Sequence, residues 1–186
     1  ILEGGGNAVD AAVAIGFALA VALPNAGNLG GGGFMMVYDA KTGKSVALDF
    51  REMAPRAATR DMYLDAKGNV VDGKSLYTHY AVGVPGTVAG MEHALKTWGT
   101  MPLAKVVAPA AALAEQGYPV SETLAKVLLQ TKKTMGQWPA TQAIFWKNGE
   151  PLKAGDLLVQ KDLATSMRLI GSEGAKAFYE GAIATR

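Results

Sequence analysis

Asn28-Leu29-Gly30-Gly31-Gly32-Gly33-Phe34-Met35-Met36-Val37-Tyr38, followed by Val46-Ala47-Leu48-Asp49-Phe50-Arg51, is the stretch on which the reading of the fold turns. Residues 34–38 and 46–50 have strand composition. The polar run between them carries Thr42-Gly43 at its tip. Two such runs joined by a short polar turn predict a β-hairpin, with Arg51 at the end of its second strand. The glycines before it predict a flexible loop whose positions are free to take positive φ. Upstream, Gly4-Gly5-Gly6 breaks the chain, and Asn7 can cap a helix. Val9, Ala12, Val13, Gly16, Phe17 and Ala20 recur at helical spacing. The residues between them are nearly all apolar, so this helix is expected to be buried on most sides. Its small residues, Gly16 among them, predict close packing, with a sheet as the expected neighbour.

Further along, residues 57–72 are polar and turn-like. Helices are predicted from Thr87 to about Trp98, from Pro102-Leu103 to near Gly117, and from Ser121 as N-cap to about Lys133. A short strand is predicted over 144–146 before the Asn148-Gly149 turn. Residues 161–170 and 175–179 read as helix again. No internal repeat or low-complexity linker divides the chain. A hairpin with a buried helix followed by a helical half predicts an α+β or layered α/β fold.

Composition narrows the function. With 186 residues the chain can build a real core. Its 49% apolar and 18% charged content is that of a globular protein and argues against disorder. A net charge of +2 with scattered basic residues gives no field to recruit nucleic acid. The absence of cysteine excludes a disulfide scaffold, a thiolate metal site and a cysteine nucleophile. His79 and His93 alone do not make a histidine-rich metal site. Residues 8–23 are apolar apart from Asp10 but fall short of the roughly 20 residues that span a bilayer. No basic flank precedes them, so no membrane role is assigned.

Four stretches invite a chemical reading. Gly68-Asn69-Val70-Val71-Asp72-Gly73-Lys74-Ser75 matches the phosphate-binding pattern G-x-x-x-x-G-K-S. That pattern works between a buried strand and a helix whose N-terminus faces the phosphates. Here no buried strand precedes it, and Gly83 and Pro85 follow before a helix is expected. It reads as an exposed loop and is the sole basis for a nucleotide-binding module. The glycines at 30–33 could turn backbone N–H groups on an anion, but a loop that needs unusual dihedrals for a tight passage through a core is the better reading. Asp49 and Arg51 share one strand face. Arg51 can grip a carboxylate with two hydrogen bonds, yet spacing alone favours an ion pair with Asp49 or Glu52. In Thr78-His79-Tyr80, neighbouring side chains on an extended strand point apart, which argues against a Thr–His nucleophile pair.

Several stretches, taken together, carry a resemblance. They are Gly5-Gly6-Asn7-Ala8-Val9-Asp10-Ala11-Ala12, Asn28-Leu29-Gly30-Gly31-Gly32-Gly33-Phe34-Met35 and Asp49-Phe50-Arg51-Glu52-Met53-Ala54-Pro55. Gly83-Val84-Pro85-Gly86-Thr87-Val88-Ala89-Gly90 and Phe178-Tyr179-Glu180-Gly181 follow in the same order. They resemble the large subunit of the gamma-glutamyltransferase (gamma-glutamyltranspeptidase) family, bacterial type. The resemblance implies an N-terminal nucleophile hydrolase, an αββα sandwich of two sheets between helix layers. It implies a precursor that cleaves itself before a threonine, whose freed hydroxyl attacks the γ-glutamyl amide of glutathione. That threonine belongs to the small subunit, so no catalytic residue is expected within residues 1–186. Arg51 matches the family position that binds the α-carboxylate of the γ-glutamyl group. Residues 1–186 are then expected to be a single partial domain, truncated at both ends. The resemblance further implies the small subunit as partner, no metal or organic cofactor, and a periplasmic or secreted location. A glutaryl-type cephalosporin acylase of the same family is the nearest alternative, and a homologue lacking the threonine is another.

Overall fold

In the computed structural model, which describes residues 1–185, Asn7 closes the start of helix α1 (Ala8–Ala22) from both sides. Its Oδ1 accepts the N–H groups of Val9 (2.9 Å) and Asp10 (3.0 Å). The Asp10 carboxylate in turn accepts the Asn7 N–H at 2.7 Å. This reciprocal capping box satisfies donors that a helix start otherwise leaves unpaired. The chain falls into two compact units, residues 1–28 with 91–185, and residues 29–90.

The first unit is largely helical. Val13, Phe17 and Val21 of α1 are buried, and the neighbour α1 packs on within the unit is helix α4 (Leu103–Gln116). Helix α3 (Thr87–Trp98) begins in the second unit and ends in this one. Gly16 has its predicted role: a Cβ there would run into the Met91 side chain of α3. Burial of α1 is less complete than the sequence suggests. Ala8, Ala12, Ile15, Leu19 and Ala22 form an exposed stripe, with Ile15 58% exposed. An all-apolar helix carries no signal of which face is covered, so its pattern could not locate this stripe. At its far end, Tyr118 Oη (2.8 Å) and the buried Gln160 Nε2 (3.0 Å) donate to the Val21 carbonyl. They satisfy an acceptor that the helix end leaves open.

Helix α4 also packs on α8, with Gly171 of α8 facing the Ala104 backbone. Helix α8 (Lys161–Glu173) buries Ala164, Met167 and Ile170 and leads to α9 (Ala175–Tyr179). A second cluster gathers Val120, Leu124, Leu128, Leu152 and Leu158.

The helix predicted from Ser121 to Lys133 is two, α5 (Glu122–Gln130) and α6 (Lys132–Met135). At the break, Thr131 Oγ1 donates back to the Val127 carbonyl at 2.8 Å, a bond that competes with helix propagation. The strand predicted over 144–146 is mostly helix α7 (Pro139–Phe145), started by proline at its first position. Strand β4 (Trp146–Lys147) follows and pairs with β5 (Glu150–Pro151). Asn148 (φ 54°) and Gly149 (φ 81°) make the two-residue turn. Strands β3 (Tyr118–Pro119) and β6 (Leu157–Leu158) form another short pair.

The second unit holds the predicted hairpin, β1 (Phe34–Asp39) and β2 (Lys44–Asp49), antiparallel with Phe34 opposite Asp49 and Asp39 opposite Lys44. At its turn the Asp39 carboxylate accepts the Lys41 N–H and the Thr42 hydroxyl, each at 2.9 Å. Gly43 takes φ 69°. Helix α2 (Lys74–Tyr77) and a 3-10 turn (His79–Ala81) lie beyond. Among the described residues, strands pair only two by two, and no helix is long and apolar enough to cross a membrane.

Candidate functional site

Two glycine-bearing loops and a glycine of helix α3 converge on one peptide in the second unit, that between Phe50 and Arg51. The hairpin ladder continues past β2, because Phe50 N–H donates to the Gly33 carbonyl (3.0 Å) and Gly33 N–H to the Phe50 carbonyl (3.3 Å). Gly32 therefore lies across from Arg51, and a Cβ on Gly32 would sit 2.8 Å from both Arg51 Cα and Glu52 N. One residue further, Met53 and Val84 exchange both backbone hydrogen bonds (3.1 and 2.8 Å). Gly86 and Thr87 N–H groups both donate to the Gly31 carbonyl (2.7 and 3.0 Å). A Cβ on Gly86 would collide with the Phe50 carbonyl, and one on Gly90 with the Phe50 ring. The glycines at 32, 86 and 90 are thus required by close approach. The freedom to adopt positive φ expected of the 30–33 loop is not used at Gly30, Gly32 or Gly33. The tight passage expected of that loop is present at Gly32, but without the unusual dihedrals expected to make it.

The knot fixes the Arg51 backbone while its side chain stays 64% exposed. The Asp49 carboxylate accepts the Arg51 backbone N–H at 2.9 Å. The guanidinium pairs with Glu52 instead, Nε to Oε2 at 3.2 Å. An exposed pair of this kind contributes at most about 1 kcal/mol. It engages Nε and leaves the two Nη groups outside that contact. The Phe34 ring lies under the guanidinium, with Cζ 5.9 Å from the ring centroid. What results is an arginine with a fixed base, an exposed fork and partners on two sides, suited to binding an anion in two-pronged fashion.

The other candidates resolve as structure. Thr78 Oγ1 donates to the Lys74 carbonyl (2.6 Å) and accepts the Tyr80 N–H (3.2 Å), so it caps the 3-10 turn. The 68–75 loop has glycines at φ 83° and 70°, preceded by an isolated Leu64–Val70 bridge rather than a buried strand. A four-residue helix does form at Lys74–Tyr77, contrary to expectation, with Gly73 before it in the left-handed conformation. It is too short to offer phosphates a helix terminus, and the Lys74 ammonium sits 4.8 Å over the Tyr80 ring. In the first unit, Asp10 is the buried carboxylate. It accepts the Thr100 and Met101 N–H groups (2.9 and 3.0 Å) and the Thr100 hydroxyl (2.6 Å) besides Asn7. Burial pushes its pKa up, but the Thr100 hydroxyl and the three backbone N–H groups outweigh this and hold it below the ordinary 3.8. All its acceptor positions serve the fold. Sequence reasoning missed the pairing of Met53 with Val84 and the ring beneath Arg51. The second was within reach, since a strand register sets which residues are diagonal neighbours.

The family model described as gamma-glutamyltranspeptidase matches residues 1–186. A glutathione hydrolase proenzyme of Escherichia coli (strain K12) is 56% identical over 185 residues, covering 99% of this chain and 32% of that protein. An acylase ACY 1 proenzyme of Pseudomonas sp. (strain V22) is 38% identical over 187 residues, covering 97% of this chain and 33% of its own length. The crystal structure of Helicobacter pylori gamma-glutamyltranspeptidase superposes with a TM-score of 0.95 at 50% identity, covering 99% of this chain and 53% of that one. The chain thus spans about a third of the length of the curated relatives it matches.

Proposed function

Because this chain belongs to the gamma-glutamyltranspeptidase family, with the mixed α+β fold of its N-terminal nucleophile hydrolases, we propose that it binds the γ-glutamyl donor in an enzyme that transfers or hydrolyses γ-glutamyl groups. Glutathione is the proposed donor. Arg51 is the proposed ligand of the donor's α-carboxylate, and the observation that carries this is its exposed fork on an immobilised backbone. A carboxylate meeting that fork gains charge-assisted hydrogen bonds from a group ordered before it arrives.

The bond-breaking chemistry lies with a threonine of the small subunit, cut from the same precursor. Its own amine removes the hydroxyl proton. The hydroxyl oxygen attacks the γ-carbonyl, and the amide C–N bond breaks as the departing substrate amine takes up that proton. Water or an amino acid then takes the acyl group. Arg51 orients the donor and takes part in none of these proton transfers. The periplasm or the cell exterior is the proposed location, by family. The acylase reading needs the same carboxylate grip and is the weaker one, since the acylase relative is 38% identical against 56% for the glutathione hydrolase.

The test compares release of the chromogenic amine from a γ-glutamyl amide by two preparations. The matured two-chain enzyme should turn it over, and the purified 186-residue chain should not. Turnover by the chain alone would overthrow the assignment of the nucleophile. A matured enzyme that cleaves glutaryl but not γ-glutamyl amides would favour the acylase.

A further inference from the structure

We propose that Phe34 is a positioning residue for Arg51, its ring holding the guanidinium in place before the substrate carboxylate arrives. The proposal rests on Arg51 being the carboxylate ligand.

Three features lead to it. The register pairs Phe34 with Asp49, and Arg51 lies two residues beyond Asp49 on the same face of the ribbon. That makes Phe34 and Arg51 diagonal neighbours, a separation that an aromatic and a long side chain can bridge. Directly across from Arg51 stands Gly32, which has no side chain to fill the space and cannot gain one without striking Arg51 Cα and Glu52 N. The diagonal Phe34 ring is the one that meets the guanidinium, whose carbon lies 5.9 Å from its centroid, within the range where an aromatic face attracts a cation.

The second feature is the ring's cost. Phe34 is 66% exposed, and a large exposed ring on a hairpin gains little from burial in its own unit. The third is the division of labour around the guanidinium. Glu52 holds Nε from the side, and the guanidinium carbon sits over the face of the Phe34 ring. An arginine has many rotamers to lose on binding. Restraint from two directions removes much of that loss in advance. The Nη groups, outside the Glu52 contact, are then the ones offered to the carboxylate.

A merely structural Phe34 would respond to apolar bulk. A platform responds to aromaticity and acts only through Arg51. The experiment therefore uses matured full-length enzyme carrying Phe34→Leu, Phe34→Met or Phe34→Tyr, each with and without Arg51→Ala. It measures KM and kcat on a γ-glutamyl amide. Phe34→Leu and Phe34→Met should raise KM about two- to five-fold with kcat little changed. Phe34→Tyr should keep the wild-type KM. With Arg51→Ala in place, the Phe34 substitutions should have no further effect. KM is read on the processed fraction alone, so a variant that matures poorly still gives its answer.

The proposal is overturned if Phe34→Leu and Phe34→Met leave KM unchanged, if Phe34→Tyr behaves as Phe34→Leu does, or if the increment persists without Arg51. Should Arg51→Ala itself leave KM untouched, the carboxylate reading fails, and the platform with it. Should Arg51→Ala raise KM while the Phe34 variants are inert, only the platform fails.

Discussion

At the scale of single residues, identity in the site is dictated by the space around one peptide. Gly86 must lack a side chain because a Cβ would also sit 2.7 Å from Phe50 C and 3.0 Å from Arg51 O. Gly30, a glycine of the neighbouring loop, has nothing within 4 Å of such a Cβ and no left-handed φ. Gly86→Ala should therefore cost on the order of 3 kcal/mol or more, seen as lost soluble protein or a lowered Tm, while Gly30→Ala should be close to neutral. Equal effects of the two would refute the close-approach account. Arg51 shows where sequence reading stops. Its spacing allowed an ion pair with Asp49 or Glu52 and a carboxylate grip alike. Only the structure separates them, giving Asp49 the backbone N–H and Glu52 the Nε. In the sequence the proposed carboxylate role came from family position alone; in the structure the exposed fork on a fixed backbone supports it.

At the scale of elements, the hairpin and the long helices were legible because their signals are local: strand composition, a Thr-Gly tip, capping residues. Helix α7 was not, because Ile144-Phe145-Trp146 has strand composition while Pro139 starts a helix that carries through to Phe145. The split at Thr131 escaped for a similar reason, since a back-bonding hydroxyl leaves no gap in the apolar pattern. Helix α1 shows a single carboxylate joining two elements. Asp10 closes the helix start and also receives the chain at Thr100 and Met101. Asp10→Ala should destabilise the unit by about 2–4 kcal/mol, because it strands donors in a buried place, as urea unfolding would register. The pH dependence has a definite sign. The folded-state pKa lies below the ordinary 3.8, so this stabilisation is present above that value and is lost as the pH falls through the folded pKa. Asp10→Asn should lose less stability than wild type as the pH falls from about 5 to about 3. A variant that follows the wild-type acid profile would contradict the assignment.

At the scale of the whole molecule, each unit leaves apolar surface uncovered. The first exposes Ile15 and Leu19 of α1; the second exposes Phe34, Met36 and Tyr38 along one hairpin face, Met36 at 71%. A two-stranded ribbon is marginal alone, and apolar surface gathered on one face promotes association. The proposed small subunit is what would cover it. Light scattering of the isolated chain should show concentration-dependent oligomers, which Ile15→Lys with Met36→Lys should reduce. A monodisperse monomer at all concentrations would count against the prediction. The sequence could not reveal these faces, because the strand alternation is partly masked by apolar residues on both sides of β1. The central claim remains that Arg51 recognises the donor's α-carboxylate, and it is tested most directly by measuring KM for matured wild-type and Arg51→Ala enzyme on two substrates. One is a γ-glutamyl amide, and the other is the same γ-acyl amide lacking the α-carboxylate. The account predicts a KM raised about ten- to 150-fold by Arg51→Ala on the first and unchanged on the second; an equal effect on both substrates, or none on either, would contradict it.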